Sequence, residues 1–167
     1  GGQIKNFDAN DHFEEKKIAR MDRFSQFALL AANEAIMSSG LKNSQENWSE
    51  NAGVILGSSI GGIETINHSY KQVFEEGHNR LHPLTIPKIM NNSATSLISI
   101  EYRIQGPSFT VSSACSSANH AMGLAFETVK SRKSNIMITG GSESFLSFGG
   151  IKPWESLRVL SQSKCRP

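Results

Sequence analysis

The fold is decided by residues 109–123, which read FTVSSACSSANHAMG. A run of aromatic and β-branched residues reaches Val111, small residues follow, and Cys115 stands where a helical pattern begins. This order predicts a strand that turns sharply into a helix, with a thiol at the turn. Small neighbours would let the backbone bend and a substrate carbonyl approach. Amide N–H groups at the start of the helix would favour a thiolate and stabilise an oxyanion.

Two interpretations of Cys115 stay open on this pattern. A free cysteine is most often a small, buried hydrophobic residue, and such a residue commonly has leucine or valine neighbours. Cys115 is instead surrounded by serines, at positions 112, 113, 116 and 117. The spacing is therefore compatible both with a structural cysteine and with a reactive nucleophile.

Composition limits the classes of function. Hydrophobic residues make up 38% and charged residues 19% of the 167, as in a soluble globular domain with a sizeable core. The formal net charge of +2 gives no case for nucleic-acid binding, and no stretch approaches the ~20 apolar residues that span a membrane. The two cysteines, at 115 and 165, predict a reducing compartment, hence the cytoplasm. Neither they nor the five scattered histidines have the spacing of a metal site.

Helical and strand patterns alternate on both sides of this stretch. Helices are predicted over 18–39, 63–76, 88–103 and 116–132, strands over 53–57, 108–113 and 135–139, and irregular structure over 142–167. Gly40 is predicted to end the first helix in a left-handed conformation. The alternation predicts an α/β fold with a mostly parallel or mixed sheet.

Five stretches taken in order resemble one family. They are 16–28 (KKIARMDRFSQFA), 57–62 (GSSIGG), 112–120 (SSACSSANH), 137–143 (MITGGSE), and Leu160-Ser161 ahead of 165–167 (CRP). Together they resemble the elongating β-ketoacyl-[acyl-carrier-protein] synthases, which are condensing enzymes of the thiolase fold. The MDRF stretch at 21–24 is similar to the stand-alone bacterial enzymes rather than to the domains of modular polyketide synthases.

The resemblance implies a thiolase-like α/β fold with a mixed sheet and flanking helices. It also implies that residues 1–167 are part of the N-terminal half of a ketosynthase domain, without its first strand and its whole second half. In this family the second half carries two active-site histidines and a lysine. We therefore expect the chain alone to be an inactive fragment. The chain begins with Gly1 instead of methionine, so its start is expected to be processed or cut.

The resemblance also implies a reaction and its nucleophile. Cys115 matches the residue that takes an acyl chain from the phosphopantetheine arm of acyl carrier protein, before decarboxylative Claisen condensation with malonyl carrier protein. No other cofactor and no metal is implied. Glu143 and His120 match structural positions, and His120 is expected to hold the helix start by hydrogen bonds. Cys165 is interpreted as an incidental thiol.

Further positions match binding surfaces of the family. Ile60, Met90 and Trp154 match residues that line the acyl channel, although ordinary core packing explains them equally well. Lys16 and Arg20 match basic residues that face the acidic carrier protein, although exposed basic residues are often only solvated charges.

The expected assembly is a homodimer, in which the strand 108–113 pairs with its twin across a two-fold axis. Three alternatives stay open for the function. One is a stand-alone polyketide ketosynthase or another thiolase-fold acyltransferase. The others are a non-catalytic partner similar to a chain-length factor and a bare dimerisation module. The presence of Cys115 argues against a chain-length factor, which usually lacks this thiol.

Overall fold

The computed structural model describes residues 2–43, 47–161 and 163. Its strands are β1 (Ala52–Gly57), β2 (Ser108–Val111) and β3 (Ile136–Gly141). Its helices are α1 (Glu15–Ile18), α2 (Arg23–Ser38), α3 (Ile63–Phe74), α4 (Thr85–Ile89), α5 (Ser93–Glu101), α6 (Ser117–Lys130) and α7 (Phe148–Ser156), with 3₁₀ turns at Ala9–Asp11, Leu41–Asn43 and Trp48–Asn51. Gly40 follows α2 with φ of 78°, as predicted. Within the described residues, no helix is long and apolar enough to cross a bilayer.

The sheet is parallel and its strand order is β2-β1-β3. The central strand β1 is apolar and buried along its whole length, which is typical of a parallel strand covered on both faces. Val54 and Leu56 point to the face where α2 and α5 pack, and Ile55 points to the opposite face, against α6. The result is a three-layer α/β/α arrangement, which confirms the predicted class.

The helix predicted over 18–39 is interrupted between α1 and α2. Asp22 forms the N-cap of α2, with its side chain accepting from the Phe24 N–H at 3.3 Å. The same carboxylate accepts from Thr65 N at 2.8 Å and Thr65 Oγ1 at 2.6 Å, in the first turn of α3. Only 2% of Asp22 is exposed. One buried carboxylate therefore caps α2 and bonds to the first turn of α3, so that α2 begins at Arg23 rather than at Ile18.

Replacing Asp22 by alanine is expected to lower the free energy of unfolding by about 2 kcal/mol. The change removes one helix cap and leaves the partly buried Thr65 N–H and hydroxyl without their acceptor. Urea denaturation of the complete protein measures the loss. Asp11→Ala is the matched control, because Asp11 is exposed and makes no side-chain hydrogen bond among the described residues. Equal stabilities of the two variants would contradict this role.

Three other predicted boundaries are wrong. The helix over 88–103 is divided into α4 and α5, because Met90 is extended at φ −66° and ψ 137°. The strand at 108–113 ends at Val111, where the chain leaves the sheet. The stretch 142–167 contains α7, which begins with a Ser147 side-chain cap and accommodates Pro153.

Candidate active site

Cys115 lies in the turn between β2 and α6, and its side chain is exposed. The residue before it, Ala114, has φ of 51°, in the left-handed region. A residue with a Cβ adopts this conformation at a cost of about 1 kcal/mol or more. The turn presents the thiol at the carboxyl edge of the parallel sheet, which is where open α/β sheets bind their ligands.

Serine hydroxyls hold this turn in place. Ser117 Oγ accepts a hydrogen bond from the Ser113 N–H at 2.9 Å and donates one to the Ala114 carbonyl at 2.7 Å. Ser116 Oγ donates to the Ser113 carbonyl at 2.8 Å. The sequence pattern identified these serines only as small neighbours of the thiol, so their part in the turn was missed.

Some of the backbone N–H groups around the thiol donate hydrogen bonds within the turn, and one does not. The Ser116 N–H donates to the Ser113 carbonyl at 3.2 Å, and the Ser117 N–H donates to the Ala114 carbonyl at 3.1 Å. None of the hydrogen bonds among the described residues is donated by the Cys115 N–H. This amide therefore has no acceptor among the described residues and is available to a bound oxygen, as an oxyanion donor must be.

Two glycines let α6 rest directly on the sheet. Gly57 and Gly141 are register partners at the carboxyl ends of β1 and β3. A Cβ on Gly57 would lie 2.3 Å from the Ala118 nitrogen, and one on Gly141 would lie 2.7 Å from the Ala118 Cβ. Since atoms do not approach that closely, both positions need glycine to keep the first turn of α6, and Cys115 before it, at this place.

A cavity of about 220 Å³ opens beside the thiol. The lining consists of small residues and one glutamate. These residues are Gly57, Ser59, Ala114, Cys115, Ser117, Ala118, Gly141, Ser142 and Glu143. Glu143 accepts hydrogen bonds from the Ser59 hydroxyl at 2.9 Å, the Ser58 hydroxyl at 3.2 Å and the Ser59 N–H. The carboxylate thus fastens the loop after β1 to the segment after β3, in agreement with the structural role predicted for it.

The three residues predicted for the acyl channel do not line this cavity. Ile60 is half-buried in the loop after β1, and Met90 is exposed between α4 and α5. Trp154 is exposed on α7, with its ring edge-on to Phe145 at 6.1 Å. Their place along an acyl channel stays a prediction.

Lys16 and Arg20 are exposed, and they line a separate cleft of about 290 Å³. The other cleft residues include the apolar Leu97 and Ile100 of α5. Lys17 is also there, but its ammonium group is 2.8 Å from the carboxylate of Glu101. The cleft therefore combines basic charge with apolar side chains.

The predictions for His120 and Cys165 remain to be compared with the structure. The ring of His120 is exposed and makes no hydrogen bond among the described residues, so its predicted side-chain role at the helix start is wrong. It is the backbone N–H of His120 that bonds there, to the Ser116 carbonyl at 3.0 Å. Cys165 lies outside the described residues. Within them, no three histidine, cysteine, aspartate or glutamate side chains lie together as a metal ion would require.

Sequence comparison identifies relatives of the chain. A family model described as "Beta-ketoacyl synthase, N-terminal domain" matches residues 2–167. The chain is 36% identical to the 3-oxoacyl-[acyl-carrier-protein] synthase 2 of Staphylococcus aureus over 171 aligned residues, which cover 99% of this chain and 42% of that protein. The chain thus spans about two fifths of the length of this relative.

Solved structures share the fold. A β-ketoacyl synthase from Burkholderia phymatum superposes with a TM-score of 0.79 at 26% identity, over 94% of this chain and 38% of that one. A type II polyketide synthase acyl-carrier protein in complex with its ketosynthase gives a TM-score of 0.83 at 21% identity, over 93% of this chain and 44% of that one. These superpositions confirm the thiolase-like fold.

Proposed function

The chain belongs to the β-ketoacyl synthase family, and we propose that the complete protein is a 3-oxoacyl-[acyl-carrier-protein] synthase that elongates fatty acids. The observation that carries the proposal is Cys115, exposed on a strained turn at the start of α6 and beside a cavity. The 36% identity to a 3-oxoacyl-[acyl-carrier-protein] synthase supports the fatty-acid substrate class. We propose the cytoplasm as its location and the phosphopantetheine arm of the carrier as the only prosthetic group involved.

In the proposed first step, the Cys115 thiol gives up its proton to solvent and its sulfur attacks the carbonyl carbon of an acyl thioester on the carrier arm. A carbon–sulfur bond forms to Cys115, and negative charge develops on the carbonyl oxygen. The Cys115 N–H, which has no acceptor among the described residues, is the proposed donor to this oxygen, and the N-terminus of α6 favours negative charge there. The intermediate collapses by breaking the bond to the carrier sulfur, which leaves as a thiolate and takes up a proton.

In the proposed second step, malonyl carrier protein loses carbon dioxide and leaves an enolate. The enolate carbon attacks the carbonyl of the acyl-Cys115 thioester, forming the new carbon–carbon bond and releasing the Cys115 thiolate. Stabilising the enolate oxygen needs donors in addition to Cys115. The family resemblance implies two histidines and a lysine for this step.

A non-catalytic partner fits the described site less well. Such a subunit needs neither a thiol on the turn nor a cavity beside it, and this chain has both. The strained φ of Ala114, and the two glycines Gly57 and Gly141 on which α6 rests, fix the position of the Cys115 side chain. A bare dimerisation surface does not require this.

The proposed function is tested by incubating the complete protein with a fatty acyl carrier protein and malonyl carrier protein. We expect one equivalent of carbon dioxide for each 3-oxoacyl carrier protein formed, and no product when the malonyl substrate is left out. Carbon dioxide release without a lengthened chain, or no reaction with any acyl carrier, would contradict the proposal.

Charge reversal at Lys16 and Arg20 is expected to raise the KM for acyl carrier protein about tenfold. Exposed basic residues at the edge of an interface attract an acidic partner, and they act mainly on the rate of association. Neither residue has an ion-pair partner among the described residues, so both charges are available to the carrier. Steady-state kinetics at low and high salt measure the effect, which salt should diminish.

Lys133→Glu is the matched control for this surface. Lys133 is exposed beyond the far end of α6 from Cys115, so its reversal changes the net charge equally at a distant place. A carrier-free acyl thioester should react at the wild-type rate with Lys16→Glu/Arg20→Glu. An unchanged KM for the carrier in this double variant would rule out the assigned docking surface.

The complete protein is expected to be a homodimer through β2. This strand is at the edge of the described sheet, and Phe109 on it is 43% exposed. An open strand edge with apolar side chains invites pairing with a second strand. Sedimentation equilibrium should give a dimer at micromolar concentration, and Phe109→Glu should weaken it.

Phe74→Glu provides the comparison for the dimer. Phe74 is an exposed phenylalanine at the end of α3 and is not part of the sheet. Its substitution introduces the same charge without touching β2. A wild-type protein that sediments only as a monomer at micromolar concentration would contradict the pairing.

A further inference from the structure

We infer that Ser117 is a positioning residue for Cys115, an inference that rests on the proposed function. Its hydroxyl accepts from the Ser113 N–H at 2.9 Å and donates to the Ala114 carbonyl at 2.7 Å. The backbone between these two groups contains the φ rotation of Ala114. The hydroxyl therefore closes a ring around the strained torsion and holds it near its observed 51°.

The same bond, together with the Ser117 backbone N–H that donates to the Ala114 carbonyl at 3.1 Å, sets the direction of the candidate oxyanion donor. The Ala114 carbonyl and the Cys115 N–H belong to one planar peptide unit, and they point in opposite directions when that unit is trans. There are no cis peptide bonds in the described chain. Fixing the carbonyl on Ser117 thus aims the Cys115 N–H away from the helix, and it also fixes the Cα from which the thiol projects.

Burial makes this hydroxyl difficult to replace by water. Ser117 is 4% exposed, beneath the turn and against the carboxyl end of β1. The neighbouring Ser116 hydroxyl donates to the Ser113 carbonyl and makes no bond to Ala114. Of the two serines after Cys115, Ser117 is therefore the one that controls the peptide joined to the nucleophile.

The test is Ser117→Ala in the complete protein, with Ser117→Thr as the conservative variant. Ser131→Ala is the matched control, since Ser131 also donates to a backbone carbonyl but at the other end of α6, 3.2 Å from Thr128 O. Single-turnover acylation of Cys115 is followed by mass spectrometry, together with kcat, KM and the thermal midpoint. Displacing a reacting group by about 1 Å can cost on the order of 100-fold in rate.

We expect acylation by Ser117→Ala to be about 10- to 100-fold slower, with KM within about twofold of wild type. Ser117→Thr should recover most of the rate, and Ser131→Ala should match wild type. An acylation rate of Ser117→Ala within twofold of wild type would overturn the inference. The inference would also be overturned if the acylation rate of Ser117→Ala fell only in proportion to its folded fraction at the assay temperature, and if Ser117→Thr did not restore the rate.

Acylation and alkylation of Cys115 give two independent readouts. If wild-type protein never carries an acyl group on Cys115, the proposed function fails. The rate at which iodoacetamide alkylates Cys115 then tests Ser117 alone, because alkylation needs the thiol's placement but no acyl substrate. An alkylation rate in Ser117→Ala that equals wild type would overturn the inference in that case as well.

Discussion

Cys115→Ala is expected to reduce condensation by at least about 1000-fold, because no other group in the turn can form the acyl thioester. The cavity beside Cys115 is lined by glycine, alanine and serine side chains and one carboxylate, which is already bonded to Ser58 and Ser59. Initial rates with acyl and malonyl carrier proteins measure the loss. Cys165→Ala, which removes the other thiol, should leave the rate within about twofold of wild type.

A Cys115→Ala variant that keeps a tenth of the wild-type rate would contradict the assignment of the nucleophile. Circular dichroism and thermal unfolding identify a folding defect separately. Cys115 is exposed, so its removal creates no cavity in the core, and the thermal midpoint should stay close to wild type.

Gly57→Ala is expected to lower the free energy of unfolding by about 3 kcal/mol or more, and to slow acylation of Cys115 as well. The added methyl group would lie 2.3 Å from backbone atoms of Ser117 and Ala118, and backbone cannot rotate away as a side chain can. The first turn of α6 would have to move off β1, taking Cys115 with it. Chemical denaturation and single-turnover acylation measure the two effects.

Gly123→Ala is the matched control for this prediction. Gly123 is exposed on α6, and a Cβ there meets no atom within 4 Å. Alanine in a helix is favoured over glycine by about 0.5–1 kcal/mol, so this variant should be slightly more stable than wild type. Similar stabilities for Gly57→Ala and Gly123→Ala would show that α6 does not rest on β1 as described.

The central strand, turn and helix could be predicted because their signal is local. Residues 109–123 pass from β-branched to small to helix-forming side chains, and the observed β2, turn and α6 follow that order. The apolar run at 53–57 likewise became β1. In these segments side-chain pattern, backbone preference and burial favour the same structure.

The boundaries that were wrong depend on contacts distant in sequence. The break before α2 is fixed by the bonds from Asp22 to Thr65, 43 residues away. The start of α7 is held by the bond from Asn67 Nδ2 to the Ser147 hydroxyl at 2.6 Å, across 80 residues. A short stretch of sequence does not contain both partners of either bond, so its pattern cannot reveal them. The glycines and Pro153 of α7 correctly indicated weak helix propensity, but tertiary contacts overrode it.

The candidate site was predicted only in part, because its geometry also depends on contacts that the sequence pattern does not show. The spacing alone left Cys115 as either a structural or a reactive residue, and its placement on an exposed turn is a finding of the structure. The hydroxyl of Ser117 bonds to groups only a few residues away, but small polar residues in a turn do not reveal which of them closes a hydrogen-bonded ring. The closeness of Gly57 to Ala118 depends on the packing of β1 against α6.

The most direct test of Cys115 as the acyl acceptor is the mass of its peptide. The complete protein is mixed with acyl carrier protein in the absence of malonyl substrate, quenched in acid, digested and analysed by mass spectrometry. We predict a mass increase equal to one acyl group on the peptide that contains Cys115, none on the peptide that contains Cys165, and loss of the increase after malonyl carrier protein is added. An acyl group found on any other residue, or a Cys115 peptide that stays unmodified while 3-oxoacyl product accumulates, would contradict the assignment.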